Sequence, residues 1–203
     1  MPSLIPDVVA PGTLAGRKQP TLTTDGGLVV RPWADSDAPA VLEAFQDPTM
    51  HQWHALTAES EAETAAWIEE WRQAWQGERH AFWAVADADS DQLVGRVALR
   101  AIELADGVAY IAYWTMPHAR GRGVAPQAVT ALTRWAFDEI GLHRLELTHA
   151  TGNEASCRVA TKTGYALEGT KRSAELHADG WHDMHLHARV QGDPVPRDRR
   201  PVF

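Results

Sequence analysis

One cysteine in 203 residues, Cys157, leaves no partner for an internal disulfide and cannot build a cysteine zinc cluster. No apolar run is long enough to cross a bilayer, so no membrane role is expected. The proline-broken start "MPSLIPDVVAPGTLAG" lacks the basic region of a signal peptide, which leaves a cytoplasmic location as the expectation. Positive charge is in deficit: the net charge of −8 disfavours a nucleic-acid partner and is compatible with a cationic acceptor. Neither G-x-G-x-x-G nor a G-K-[ST] loop occurs, which removes the dinucleotide-binding and Walker signatures. Internal repeats and low-complexity tracts are missing too.

What is present reads as one domain. Residues 1–21 hold several prolines and no period, an irregular arm; residues 22–190 carry the regular pattern; residues 191–203 are a tail. "LTTDGGLVVRPW" gives a first strand over about Leu28–Trp33, and "ADSDAPAVLEAF" a first helix with a capping aspartate. A second helix opens at Ser60 with Glu63 three residues on, a capping-box pair. Its indoles Trp67, Trp71 and Trp75 share a face that serves equally as core or as an acceptor-pocket wall. Three strands follow, with turns near Ala88–Gln92 and at Asp106-Gly107. Apolar residues from Val124 to Ile140 keep a 3.6 period, and Gly141 ends that helix. "HRLELTHA" is a strand, Asn153 caps a short helix that Gly164 stops, and two more strands meet at "HADG". The order β-α-α-β-β-β-α-β-α-β-β specifies an α+β fold: a mixed, mostly antiparallel seven-stranded sheet flanked by helices, with one parallel βαβ unit.

The stretch "ARGRGVAPQA" joins a strand to a helix. Glycines let a backbone approach an anion, and a helix entrance offers unpaired N–H groups. Arg120, Gly121, Arg122, Gly123, Val124 and Ala125 could thus cradle a diphosphate, with the two arginines adding charge; a solvated surface turn remains the plain alternative. The turn resembles R-x-x-G-x-A, the acetyl-CoA signature of the GNAT acyltransferase superfamily. Downstream, Asn153, Ser156, Gly164-Tyr165, Glu168-Gly169 and the "HD…AR" strand are similar, in order and spacing, to the RimJ/RimL branch of ribosomal-protein N-terminal acetyltransferases. The resemblance spans residues 22–190.

It implies an acetyl-CoA-dependent N-acetyltransferase that works by direct transfer in a ternary complex. Acetyl-CoA would be held by the 120–125 amides, and its pantetheine arm by the backbone of Trp114, Thr115 and Met116, with the N–H of Met116 or a neighbour polarising the thioester. Asn153 would hydrogen-bond the pantetheine, Ser156 would protonate the leaving sulfur, and Glu175 would take the proton of the amine. Glu168 is a more distant candidate for that base. The acceptor is a protein N-terminal α-amine or a small amine such as an antibiotic, an amino-acid conjugate or a polyamine. A different acyl-CoA, or a non-catalytic acyl-CoA-binding module, are the rival readings. The resemblance is compatible with a homodimer.

Several features carry less. His185 and His187 share a strand face and His182 lies on the other, but with no companion ligands no metal is expected. Cys157 is turned about 100° from Ser156 on the helix, so an acyl-cysteine route is disfavoured. "MHQWHAL" (50–56) suits either acceptor recognition or loose burial.

Overall fold

Apolar, β-branched runs pair as strands, and the segments of 3.6 period cover them as helices. The computed structural model describes residues 4–54 and 56–194. In chain order the elements are β1 (Leu22–Thr23), β2 (Leu28–Arg31), α1 (Ala38–Gln46), α2 (Pro48–His51), α3 (Glu61–Gln73), β3 (Ala81–Asp87), β4 (Leu93–Glu103), β5 (Val108–Thr115), α4 (Val124–Trp135), β6 (Arg144–Ala150), α5 (Glu154–Lys162), β7 (Ala166–His177) and β8 (Gly180–Val190). Among the described residues they build one sheet of eight strands, ordered β1-β2-β3-β4-β5-β6-β8-β7. This is one more than the seven expected. The addition is β1, where Leu22 and Thr23 pair with Val30 and Val29; two residues leave no period to detect.

The caps set where the helices begin. Ser60 Oγ accepts the Glu63 N–H at 3.3 Å, while the Glu63 carboxylate takes the N–H of Glu59 rather than that of Ser60. Asn153 Oδ1 accepts the Ser156 N–H at 3.0 Å and fixes the entry to α5. The helix expected over Val124–Ile140 widens into a π turn at Ala136–Ile140 before Gly141, whose φ of +83° ends it. The indole stripe resolves as core: Trp71 and Trp75 are buried, with Trp75 past the end of α3, and Trp67 packs edge-on against Phe45.

Among its described residues the proline-rich arm contains no helix or regular strand before β1, yet it is tied to the sheet. Val8 and Val9 donate to Ala105 and Leu104 carbonyls, and Val9 and Leu14 are buried. The Glu78 carboxylate accepts from the N–H groups of Gly12, Leu14 and Ala15. Trp75 and Trp83 donate their indole N–H to the carbonyls of Arg17 and Pro20. Of the expected tail, residues 195–203 lie outside the described residues.

One irregularity positions the site. The parallel pair β5–β6 runs only from Val108–Arg144 to Tyr110–Glu146. Beyond it β5 stays with β4 through Thr115, and β6 stays with β8 through Ala150. The two strands part, and the wedge between them opens toward the segments that lead into α4 and α5.

Candidate active site

At the end of β5 the chain turns through Pro117–Ala119 and enters α4 over Gly121 and Gly123, both at φ +77°. L-residues rarely adopt that region, so glycine is needed there. No atom lies within 4 Å of where a Gly121 Cβ would stand, and only Gln127 Nε2, at 3.7 Å, approaches that of Gly123. Pro126 has no N–H, and Gln127 makes the first helical bond, to the Gly123 carbonyl. The N–H groups of Gly121, Arg122, Gly123, Val124 and Ala125 have no acceptor among the described residues. An open, glycine-lined set of unpaired amides at a helix entrance fits a diphosphate.

The arginines of this turn do something else. Arg120 donates to Asp47 Oδ2 at 2.6 Å and to the Thr49 hydroxyl, anchoring the turn to the start of α2. Thr49, then Arg120, holds the Asp47 carboxyl below its usual range against the opposing effect of burial. The side chain of Arg120 is therefore committed, and the exposed Arg122 does not line the cavity beside the turn. The cations that do line it, besides Arg120, are Arg158 and Lys162, four residues apart on α5.

That cavity measures about 490 Å³ and runs from the turn along β5 past Trp114 and Thr115 to Asn153 and Ser156. Along β5 the amides alternate. Met116 donates its N–H to the Val94 carbonyl at 2.9 Å, so it is not free for a thioester. Alternation turns the Trp114 amides toward β4 as well, and those of Tyr113 and Thr115 toward the wedge. The Trp114 side chain is buried against Trp33 and Phe45.

A second cavity, of about 350 Å³, lies on the other side of the wedge. Both are lined by Trp53, His54, Tyr113, Asn153 and Ser156, so they meet along a wall that includes Ser156. Asn153 uses Oδ1 as the α5 cap, which leaves its amide N–H₂ for a ligand. Burial pushes the Tyr113 phenol up to about 12, with the adjacent Ser156 drawing it slightly down, so it stays protonated at neutral pH. Nothing local in the sequence marks Tyr113, a strand aromatic beside Trp114, as a site residue.

Glu175 lines the second cavity, 4.0 Å from His177 Nε2, and is the one carboxylate among its lining residues. It shares that lining with Arg96, Arg100 and four histidines. Arg96 is 8% exposed, its Nε has no partner, and it lies over the rings of Trp71 and Phe82 at 5.2 and 5.5 Å. Burial, then the charge of Arg100, lowers its guanidinium to about 9, still a cation at neutral pH. The chain is acidic, but this cavity is cationic. The signal was an arginine inside the apolar run "LVGRVAL".

The remaining candidates fall outside. Glu168 is held by Arg144 at 3.0 Å and lines neither cavity. Cys157 is turned away from both, as helical rotation requires. His182 pairs with Asp179 at 2.7 Å and stacks on His177 beside Trp53.

A model of the acetyltransferase (GNAT) domain matches residues 27–166. The chain is 28% identical over 173 residues to the uncharacterized N-acetyltransferase YoaA of Bacillus subtilis, covering 85% of this chain and 97% of that protein. It is 32% identical over 100 residues to the ribosomal-protein-serine acetyltransferase of Escherichia coli, covering 49% of this chain and 56% of that one. Among solved structures, RimL, a ribosomal L7/L12 α-N-protein acetyltransferase in complex with coenzyme A, superposes with a TM-score of 0.78 at 22% identity, covering 84% of this chain and 98% of that one. The microcin C7 self-immunity acetyltransferase MccE, in complex with acetyl-CoA and AMP, gives 0.74 at 19%, covering 82% and 93%. With its split β5–β6 pair, its glycine turn and a family model matched over most of its length, the chain belongs to the GNAT acetyltransferases.

Proposed function

We propose that the protein moves an acetyl group from acetyl-CoA to the primary amine of an acceptor that also carries an anionic group. The observation that carries this reading is the meeting of two cavities along a wall that includes Ser156. One ends at unpaired helix-entrance amides; the other is lined by Glu175 and by Arg96, whose buried Nε has no partner.

The amides of Gly121 to Ala125 bind the diphosphate, with Arg158 and Lys162 completing its charge. The wedge-facing amides of Tyr113 and Thr115, with the Asn153 side chain, align the pantetheine. One of those N–H groups stabilises the oxyanion that forms at the thioester carbonyl. Glu175 removes a proton from the ammonium, directly or through a water, and the free amine attacks. As the carbon–sulfur bond breaks, Ser156 gives its proton to the thiolate. A thiol near ~8.5 needs only modest help of this kind. Arg96 and Arg100 bind a carboxylate or phosphate of the acceptor, since a buried cation without a partner is costly until an anion arrives. An N-terminal peptide with a nearby acidic group and an amino-acid conjugate bearing a phosphate both meet this requirement. A polyamine does not.

The test is acetyl transfer, read by mass spectrometry, across N-terminal peptides and small amines in matched charged and neutral forms. Transfer should favour the anionic members and fall in Ser156→Ala and Glu175→Gln. A protein that binds coenzyme A yet acetylates nothing, or that prefers polycationic amines, would contradict the reading.

A further inference from the structure

Where α5 meets β6 and β8, three imidazoles and the lone thiol converge, one of them, His149, also lining the second cavity. Strand register puts His149 of β6 directly opposite His185 of β8, and His187 follows two residues on along the same face. Cys157 reaches the group from α5. One ligand atom from each of these four residues lies within 4.8 Å of the others. His149 and His187 are 5% and 2% exposed.

The hydrogen bonds determine the tautomers. His149 Nδ1 lies 2.8 Å from the carbonyl of Ala150, and His187 Nδ1 lies 3.2 Å from that of Tyr165. A carbonyl only accepts, so both Nδ1 atoms carry the proton. In the neutral rings both Nε2 atoms are then bare lone pairs, and they point at each other across 3.2 Å. Two lone pairs at that distance repel unless a cation lies between them. A shared proton would leave a buried imidazolium with no carboxylate in the cluster. An imidazolium buried without a counter-charge is costly. His185 Nδ1 adds a third buried nitrogen with no partner.

We propose that His149, His185, His187 and Cys157 form a four-coordinate site for a borderline-soft divalent cation such as Zn²⁺. A tetrahedral ion with bonds of about 2.0–2.1 Å to imidazoles sets their nitrogens about 3.3 Å apart and their ring centroids about 5.2 Å apart. The nitrogens of His149 and His187 are 3.2 Å apart, and the three ring pairs are separated by 5.1, 5.3 and 6.0 Å. The two carbonyls that hold Nδ1 are the outer partners such ligands require. Binding releases the Cys157 proton, and the thiolate offsets half of the ion's charge. With four protein ligands the site is closed, so its role is structural. It fastens α5, one residue from Ser156, to β6 and β8. The inference is independent of the acceptor reading above.

The experiment uses tag-free, full-length protein. Metal content is measured after purification, then apo protein is titrated with Co²⁺ and Zn²⁺ against a competing chelator. We expect about one equivalent of metal, a tetrahedral cobalt spectrum with a sulfur-to-metal charge-transfer band, and a Zn²⁺-dependent rise in melting temperature. Cys157→Ser should abolish the charge-transfer band, and His185→Asn should weaken affinity by more than the about 10–100-fold typical of an outer partner. His182→Asn, in the separate His177–Asp179–His182 group, should change none of these. Absence of stoichiometric binding in folded wild-type protein would overturn the proposal. So would binding that survives Cys157→Ser and His185→Asn but not His182→Asn, or NMR detection of an Nε2–H···Nε2 proton in zinc-exposed protein.

Discussion

Replacing Arg96 by methionine should separate fold from recognition. In the folded protein burial lowers this guanidinium from 12.5 to about 9, and at about 1.4 kcal/mol per tenfold that is about 5 kcal/mol against the charged form. The rings of Trp71 and Phe82 beneath it return about 2 kcal/mol each when desolvated. The residue is left close to neutral for stability, or slightly unfavourable. Arg96→Met keeps the stem that covers those rings and removes the charge. Denaturant unfolding of the apo variant should therefore show stability unchanged or raised by about 1–2 kcal/mol. Catalysis should respond in the opposite sense. A buried charge pair lost on one side costs about 2–5 kcal/mol, so kcat/KM for an acceptor bearing a carboxylate should fall by at least about thirtyfold. The matched acceptor with that carboxylate amidated should change by less than about threefold. An equal loss for both acceptors, or a clearly destabilised apo variant, would refute the assignment of Arg96 to an anionic substrate group.

Glu175→Gln should lower kcat by about 10²–10⁴ and leave coenzyme affinity intact; unchanged kcat would remove Glu175 as the base. Gly123→Ala places a side chain at φ +77°, so it should cost about 1–2 kcal/mol of stability and also weaken coenzyme A in calorimetry. A loss of stability with affinity unaltered would free the turn from its diphosphate role. Burial, aided by Arg96, lowers His54 to about 4. The unfolded chain therefore takes up this proton first as pH falls, and stability should drop by about 3 kcal/mol between pH 6.5 and 4. His54→Leu should remove that slope in acid unfolding curves, and an identical slope in the variant would contradict the assignment.

The sequence carried the local features well, because turns, caps and periods are written within a few residues of themselves. Ser60, Asn153, Gly141 and the hairpin at Gly107 behave as their types require. What it could not carry was register and partnership across the chain. Arg120 looked like a phosphate ligand until its pairing with Asp47, 73 residues away, was on view. Met116 looked available until β4 took its N–H. His185 and His187 were seen to share a face, but their companion His149 joins them only through the β6–β8 pairing. The cationic lining of the acceptor cavity was hidden beneath a net charge of −8 for the same reason.

The most direct test of the account is a crystal structure of this protein with coenzyme A. The diphosphate oxygens should accept hydrogen bonds from the Gly121–Ala125 amides, and the sulfur should lie at the junction of the two cavities, beside Ser156 and Tyr113. A coenzyme bound elsewhere, or one whose diphosphate leaves those amides unpaired, would contradict it.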